Sequence, residues 1–398
     1  MANILVLTSI YPGPGVPDFF TPVVHYFTRE WVKMGQNVVV IHNSTYFPIP
    51  YYWAPKFVRR IVEKKFKCSL PLERLSNDIS FDLDGVHIYR FPMFKLMPGT
   101  MFYHSEYQKQ TDKIKRTLDA IGFKPDYIVS HWVNPQIMLA ASLKEYYKCK
   151  TVLTLHDNGA LIQKMPNPTK LVNSIDLWGY RSEKVGKDFE KLFGLKKRNF
   201  RCFSGIPSCF IKSSPKRNWD TIHNFIYVGA LIERKHPDTL IKALSDYFST
   251  QDYTLNIVGE GNYRPVLEEL IKDRNLDKHV HLLGRLKRED IIKYYDASDV
   301  FAMISSSEVF GLVYLEAMAR GCIVIASKGG GMEGIVKDGI NGYLCNPGDE
   351  EDFKRIIELI QSLPPELKSN ISNKAMETAE QYTDQAAAKK YLDNILSI

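Results

Sequence analysis

The sequence predicts an α/β protein built from two doubly wound, mostly parallel sheets. Short apolar runs of strand length alternate with longer helical patterns from one end of the chain to the other. The 398 residues, 44% hydrophobic and 24% charged, are enough for two domains of roughly 100–200 residues each, and such a composition excludes disorder. Residues 204–224, with Pro207, Ser213, Ser214, Pro215, Lys216, Arg217 and Asn218, interrupt the alternation midway.

In chain order, residues 4–7, 38–41, 127–129, 151–155 and 202–203 read as the strands of a first unit. Residues 225–228, 255–258, 280–283, 300–304 and 323–326 read as those of a second. The expected division is a first domain at 1–205, a linker at 206–224 and a second domain at 225–383. A final helix, 384–398, is free to pack on either half, including back onto the first domain. Ligands of such sheets lie beyond the carboxyl ends of the strands, and a central cleft between two facing halves is the natural place for a substrate.

The formal charge of +7 conceals a division. Residues 1–205 carry 29 Lys and Arg against 17 Asp and Glu, a net of +12; residues 206–398 carry the remaining 23 against 28, a net of −5. A basic half of this kind meets something anionic: nucleic acid, an acidic membrane surface or a phosphorylated ligand. Charge is the whole case for nucleic acid, because no nucleic-acid-binding signature accompanies it.

Residues 46–67 stand outside the alternation. Pro48, Pro50, Tyr51, Tyr52 and Trp53 lead into a basic run at 56–67. On a helix there, Phe57, Val58, Ile61 and Val62 share a face while Arg59, Arg60 and Lys64 lie largely off it. Two readings stand: a helix lying in a membrane interface, or an ordinary surface helix with a solvated basic face. No segment approaches the roughly 18 apolar residues of a spanning helix, so membrane contact is expected to be peripheral. The first nine residues read as a strand, not as a signal peptide. Cys68, Cys149, Cys202, Cys209, Cys322 and Cys345 form no paired or zinc-like spacing and suit a reducing, cytoplasmic setting. Asp82-Leu83-Asp84 has the spacing of a metal-chelating pair, but Asp84-Gly85 between alternating runs signals a hairpin turn, and no metal is expected.

The most informative stretch runs from Ser305 to Gly321. It follows a strand and turns into a helix near Phe310, which leaves the amides of Gly311 and Leu312 at a helix N-terminus, where a phosphate fits. Glu308, in the loop, would face the group attached to that phosphate. Glu316, inside the helix, is placed to accept hydrogen bonds from a vicinal diol such as ribose. A Ser-capped amphipathic helix with two incidental glutamates explains the spacing equally well.

Glu308 to Glu316 resembles the E-x7-E signature of the retaining nucleotide-sugar glycosyltransferases of the GT-B fold, family 4. The resemblance extends through Phe310-Gly311-Leu312, Glu316-Ala317-Met318-Ala319, Val258-Gly259-Glu260-Gly261, Leu283-Gly284-Arg285, Gly329-Gly330-Gly331 with Glu333, and Asp338-Gly339-Ile340-Asn341-Gly342. In the first half it takes in His131-Trp132 with Pro135 and Thr154-Leu155-His156, so it covers nearly the whole chain.

The resemblance implies roles. Glu308 would contact the donor sugar and stabilise its oxocarbenium-like charge, Glu316 would bind ribose, and Lys235 would neutralise the donor diphosphate. A fixed cation and helix-end amides can stabilise that leaving group without metal. Gly284-Arg285 would read the nucleobase. The loop Pro12-Gly13-Pro14-Gly15 resembles the family's glycine-rich loop between donor and acceptor. His156 resembles the histidine near donor sugar and acceptor, with Asp157 beside it, where the family usually has Gly, as an acceptor contact or base. His131 and Asn134, at another strand end, are weaker candidates. The family usually carries an Arg where this chain has Ala230, and Arg234 is the residue available to replace it.

The expected activity is hexosyl transfer with retention, from a nucleotide diphosphate sugar, UDP favoured over GDP, to a glycan acceptor. A polyprenyl-pyrophosphate-linked saccharide in cell-surface polysaccharide synthesis fits the basic half best. No cofactor beyond the nucleotide-sugar co-substrate is implied. A non-hydrolysing UDP-N-acetyl sugar epimerase shares the architecture and is the alternative. A nicotinamide oxidoreductase would need a G-x-G-x-x-G after the first strand, which Pro12-Gly13-Pro14-Gly15-Val16-Pro17 does not supply.

Overall fold

The structure, a computed structural model, describes residues 1–16, 22–55, 57–59, 61–62, 73–194, 197–211, 217–249, 252–306, 308 and 310–398. The chain divides into two compact units, Met1–Cys202 with Ala387–Ile398, and Phe203–Ala386.

The first unit contains β1 (Asn3–Thr8), β2 (Asn37–His42), β3 (Thr45–Tyr46), β4 (Ile79–Leu83), β5 (Val86–Arg90), β6 (Met93–Phe94), β7 (Tyr127–His131), β8 (Lys150–Leu155), β9 (Leu177–Tyr180) and β10 (Asn199–Arg201). Eight of them form one sheet in the order β10-β9-β8-β7-β1-β2-β5-β4, while β3 and β6 pair separately. Strand pairing in the large sheet is parallel except for the β4–β5 hairpin. The apolar strands are buried on both faces, as parallel strands must be. Ile4, Val6, Val38 and Val40 belong to the core on one face, and Leu5, Leu7, Val39 and Ile41 to the core on the other.

Asp84 and Gly85 take φ of 49° and 79°, the left-handed pair that a two-residue hairpin requires. The two acidic side chains of that region diverge: Asp82 Oδ1 meets His87 Nδ1 at 2.8 Å and Asp84 Oδ2 meets His25 Nε2 at 2.9 Å.

The strand expected at residues 202–203 lies earlier, at β10, and β9 was not anticipated. Gly179 in β9 breaks its apolar run, yet nothing larger fits, because a Cβ there would lie 2.5 Å from Thr154 Oγ1. The helix Asp384–Leu396 brings Ala388, Tyr391, Leu392 and Ile395 into the first unit's core, and the Trp31 indole N–H donates to the Ala388 carbonyl at 2.9 Å.

The second unit holds β11 (Asn224–Val228), β12 (Thr254–Val258), β13 (Val280–Gly284), β14 (Val300–Met303), β15 (Ile323–Ser327) and β16 (Tyr343–Cys345). Their order is β13-β12-β11-β14-β15-β16, all parallel. Phe203, Ile206 and Phe210 are buried in this core and Ile206 pairs with Thr383, so the first part of the stretch read as a linker is folded into the second unit. These side chains are apolar, and Phe203 packs against Phe310 and Tyr382 while Phe210 packs against Tyr295, which a solvated linker could not do.

Of the basic run at 56–67, residues 57–59 and 61–62 are helical with Phe57 and Ile61 exposed; the remainder lies outside the described residues, as do Cys68 and residues 212–216. Among the described residues no helix is long and apolar enough to cross a membrane.

Candidate active site

Each sheet has one point where the strand order reverses, and loops leaving the strands on either side of it must lie next to each other. In the second unit that point is between β11 and β14. Lys235 follows β11 in the single 3-10 turn Glu233–Lys235, and Glu308 follows β14. Lys235 Nζ lies 3.0 Å from Glu308 Oε2, with both side chains largely buried. Apart from this ion pair, Glu308 Oε2 has no hydrogen-bond partner among the described residues, although it is out of water.

The two loops are tied by backbone. The Ser306 N–H donates to the Arg234 carbonyl at 2.8 Å, His236 Nε2 meets Ser306 Oγ, and the Gly331 N–H donates to the Glu308 carbonyl at 2.9 Å. Tyr227 senses the charges of this cluster: burial raises its hydroxyl pKa, Glu308 adds to the rise and Arg234 opposes it. Arg234 thus lies near enough for its charge to act on Tyr227, on an exposed loop. Ala230 is exposed as well.

The helix Leu312–Ala319 starts at Gly311, whose φ of 79° and absence of a side-chain cap leave the first turn's N–H groups to other partners. A Cβ on Gly311 would lie 2.6 Å from the Tyr314 ring, so the turn requires glycine. Phe310, expected at the donor site, has its ring packed against Phe203, centroids 5.5 Å apart, and buried with the hydrophobic cluster. Leu312 is half-buried at the helix start.

Glu316 is buried at 3% exposure, and its charge is balanced by a residue the sequence reading missed: Arg288 Nε donates to Oε1 at 2.6 Å, while the Tyr295 hydroxyl donates to Oε2 at 3.3 Å. The separation in sequence gave no signal for either partner; only their position after β13, Arg288 before the helix Ile292–Asp296 and Tyr295 within it, could have pointed to them.

Gly259, expected at the donor site, is also a close backbone contact. A Cβ on it would lie 1.8 Å from the Gly229 carbonyl oxygen, and one on Gly261 2.0 Å from that of Leu231, so these glycines let the β11 and β12 loops touch backbone to backbone. Gly284, at φ 70°, lies beside Glu260, and Arg285 next to it is exposed.

In the first unit the strand order reverses between β1 and β7. Ser9 after β1 accepts from Gln136 Nε2 at 2.9 Å, which joins the two loops there, and Asn134 Oδ1 accepts from the Tyr107 hydroxyl at 2.8 Å. Gly13 and Gly15 have φ of 146° and 71°. Beneath them lies Arg90, 1% exposed, whose NH1 donates to the Pro14 carbonyl at 2.6 Å and whose Nε donates to His42 Nδ1 at 3.3 Å. A Cβ on Gly13 would meet the Phe81 ring at 2.4 Å, so the loop sits directly on its support.

His156, after β8, stacks on Trp132 with centroids 4.1 Å apart, and its Nε2 lies 3.2 Å from His131 Nδ1. Burial, and then the charge of Arg181, hold both imidazoles neutral: His131 is pushed down to about 3 and His156 well below its ordinary value. Asp157 does not join them. It is exposed, and its Oδ1 accepts from the Gly159 N–H at 2.8 Å, forming a local turn. Among the described residues no group of three or more His, Cys, Asp or Glu is placed to hold a metal ion.

Chemically, the second unit offers a largely buried cation, a carboxylate lacking directed hydrogen bonds among the described residues, and a helix start, all after two adjacent strands. Residues 212–378 match the family model of the glycosyl transferases group 1. The chain is 32% identical over 381 residues to the sulfoquinovosyl transferase SQD2 of Arabidopsis thaliana, 92% of this chain and 68% of that one. It is 25% identical over 349 residues to the alpha-monoglucosyldiacylglycerol synthase of Acholeplasma laidlawii, 85% of this chain and 79% of the relative. Among solved structures, Anabaena Alr3699/HepE in complex with UDP superposes with a TM-score of 0.70 at 18% identity, over 100% of both chains. With fold, switch-point geometry and these likenesses together, the chain belongs to the GT-B nucleotide-sugar glycosyltransferases.

Proposed function

We propose that the protein transfers a hexose, with retention of configuration and without metal, from a nucleotide diphosphate sugar to a lipid-linked saccharide acceptor. The observation that carries this reading is the Lys235–Glu308 pair at the switch point. Lys235 and the start of the helix Leu312–Ala319 would take the departing diphosphate; Glu308 would then face the sugar, where a negative charge stabilises positive charge developing at the anomeric carbon. Glu316, oriented by Arg288, would take the ribose. Arg234 would supply the second diphosphate cation in place of the arginine absent at Ala230. UDP is the favoured nucleotide, since the Anabaena structures that this fold matches were solved with UDP and with UDP-glucose.

The acceptor belongs with the first unit. Its excess of basic residues suits a phosphorylated acceptor or an anionic bilayer, and the Acholeplasma relative is by name a glycolipid synthase. Trp53, Phe57 and Ile61 are 81, 66 and 62% exposed, as a helix lying in a lipid interface requires. We read the setting as the inner face of the cytoplasmic membrane and the acceptor as a polyprenyl-pyrophosphate saccharide in surface-polysaccharide assembly.

Thermal shifts against UDP-, GDP- and ADP-sugars identify the donor, because a bound ligand raises apparent stability by mass action. Transfer assays with proton NMR of the product anomer then read the stereochemistry. Vesicle sedimentation reads the membrane component. Binding to anionic vesicles at low salt, lost at high salt, is expected. No binding, together with equal transfer to a soluble unphosphorylated sugar, would overturn the acceptor reading; an inverted anomer would overturn retention.

A further inference from the structure

The helix Asp384–Leu396 carries one polar group into the first unit's core that the proposed mechanism leaves unused. The Tyr391 hydroxyl lies 2.7 Å from Thr154 Oγ1 and 3.4 Å from His131 Nε2, and His131 Nδ1 lies 3.2 Å from His156 Nε2. Thr154, Tyr391 and His131 are all buried, and Tyr391 is wedged edge-on between Phe27 and Trp31 at centroid distances of 5.1 Å, which fixes its ring. Four side chains thus form one chain of hydrogen bonds ending at the imidazole beyond β8.

We propose that Tyr391 is a positioning residue that fixes, through His131, which nitrogen of His156 bears the proton. Each link has one proton, so the polarity of the first link sets every other. A phenol is a stronger donor than an aliphatic alcohol, and the Thr154 contact is the shorter, so Tyr391 donates to Thr154 Oγ1. Its oxygen then accepts from His131 Nε2–H. His131 Nδ1 is left with a lone pair and accepts from His156 Nε2–H. His156 accordingly presents a bare Nδ1, an acceptor for a substrate hydroxyl. Both rings are neutral, held so by burial and by Arg181, so the tautomer and not the charge is the variable. The consequence for substrate rests on the reading of His156 as a substrate contact; the relay itself does not.

The test uses the full-length chain labelled with 15N-histidine, with His131 and His156 assigned from H131Q and H156Q. Long-range 1H–15N correlation distinguishes protonated from bare ring nitrogens. Wild type is expected to show His156 as the Nε2–H tautomer. Thr154→Val removes the acceptor of Tyr391, which must then donate to His131 Nε2; the relay reverses and His156 becomes Nδ1–H. Tyr391→Phe leaves His131 Nε2 facing a ring edge, where a bare nitrogen is less costly than an orphaned N–H, so the same reversal follows. Two isosteric changes at different links guard against a local packing effect. An Nδ1–H tautomer in wild type, or an unchanged tautomer in both variants, would overturn the proposal. With the relay reversed, kcat is expected to fall roughly five- to tenfold, the worth of about one hydrogen bond, with donor-nucleotide affinity unchanged. Reversal with full turnover would sustain the relay and remove His156 from the substrate contacts.

Discussion

Arg288 and Glu316 are 28 residues apart in sequence and 2.6 Å apart in space, and the carboxylate is nearly sealed from water. A buried carboxylate is tolerated when its charge is paired and its oxygens are hydrogen-bonded. Arg288 therefore orients Glu316, the carboxylate that takes the ribose in the proposed function. Arg288→Met is expected to cost on the order of 2 kcal/mol of stability through the orphaned charge, and to raise donor KM about tenfold with little change in kcat. Urea melts and steady-state kinetics over a range of donor concentrations check both; an unchanged KM would detach Arg288 from the donor site.

Lys235 and Glu308 form the second such pair, and here the expected loss is in turnover. Lys235→Ala and Glu308→Gln should each lower kcat by a factor on the order of 10² or more while circular dichroism stays native. Since the two residues touch, the double variant is expected to lose less than the sum of the singles, in a double-mutant cycle.

Glycines that look alike in sequence should differ sharply. Gly259→Ala forces a methyl to 1.8 Å from the Gly229 carbonyl oxygen, and backbone cannot yield as a side chain can. A loss of about 3 kcal/mol or more is expected. Gly329→Ala meets nothing within 4 Å among the described residues and has its φ of 68° to resist it, so about 1 kcal/mol is expected. Chemical denaturation with a constant m-value would establish the contrast.

The first unit should lose stability on acidification. His131 and His42 are held down to about 3, in each case mainly by burial, with Arg181 and Arg90 as the adjacent charges. In the unfolded chain both titrate near 6.5. Between these values the unfolded state binds more protons, so this contribution is complete above pH 6.5 and is lost as pH falls towards 3. The slope is at most about 1.4 kcal/mol per pH unit for each residue. Urea melts at about pH 7 and pH 5, with H42Q expected to flatten the dependence, measure it.

Much of the fold was legible because burial on both faces forces uninterrupted apolar runs. β1, β2, β11 and β15 each have such a run; in β8 and β12 a single polar residue, Thr154 or Asn256, interrupts it, and all six lie within a residue or so of their expected places. β9 was hidden because Gly179 serves a neighbour, Thr154, and not its own strand. β16 was hidden by its length of three residues. Of the candidate site residues, Glu308 was singled out by its place after a strand and Lys235 by the family resemblance, and the structure brings the two side chains together. Phe310 and Gly259 also pack against the second unit's own core and backbone, which the motif by itself does not show.

The sequence alone determined that strands alternate with helices, that positive charge gathers in the first 205 residues, and that loops after particular strands carry Lys235, Glu308 and His156. Tertiary structure alone decided what each side chain meets. Arg288 reaches Glu316, Arg90 lies under the Gly13–Gly15 loop, and Tyr391 returns from the last helix to Thr154 across 237 residues. The reason is physical: periodicity reports which face of an element is buried, a local property. The partner of a buried polar atom is fixed by the requirement that it be satisfied, and that requirement is met wherever the packed chain brings a donor or acceptor within 3 Å or so.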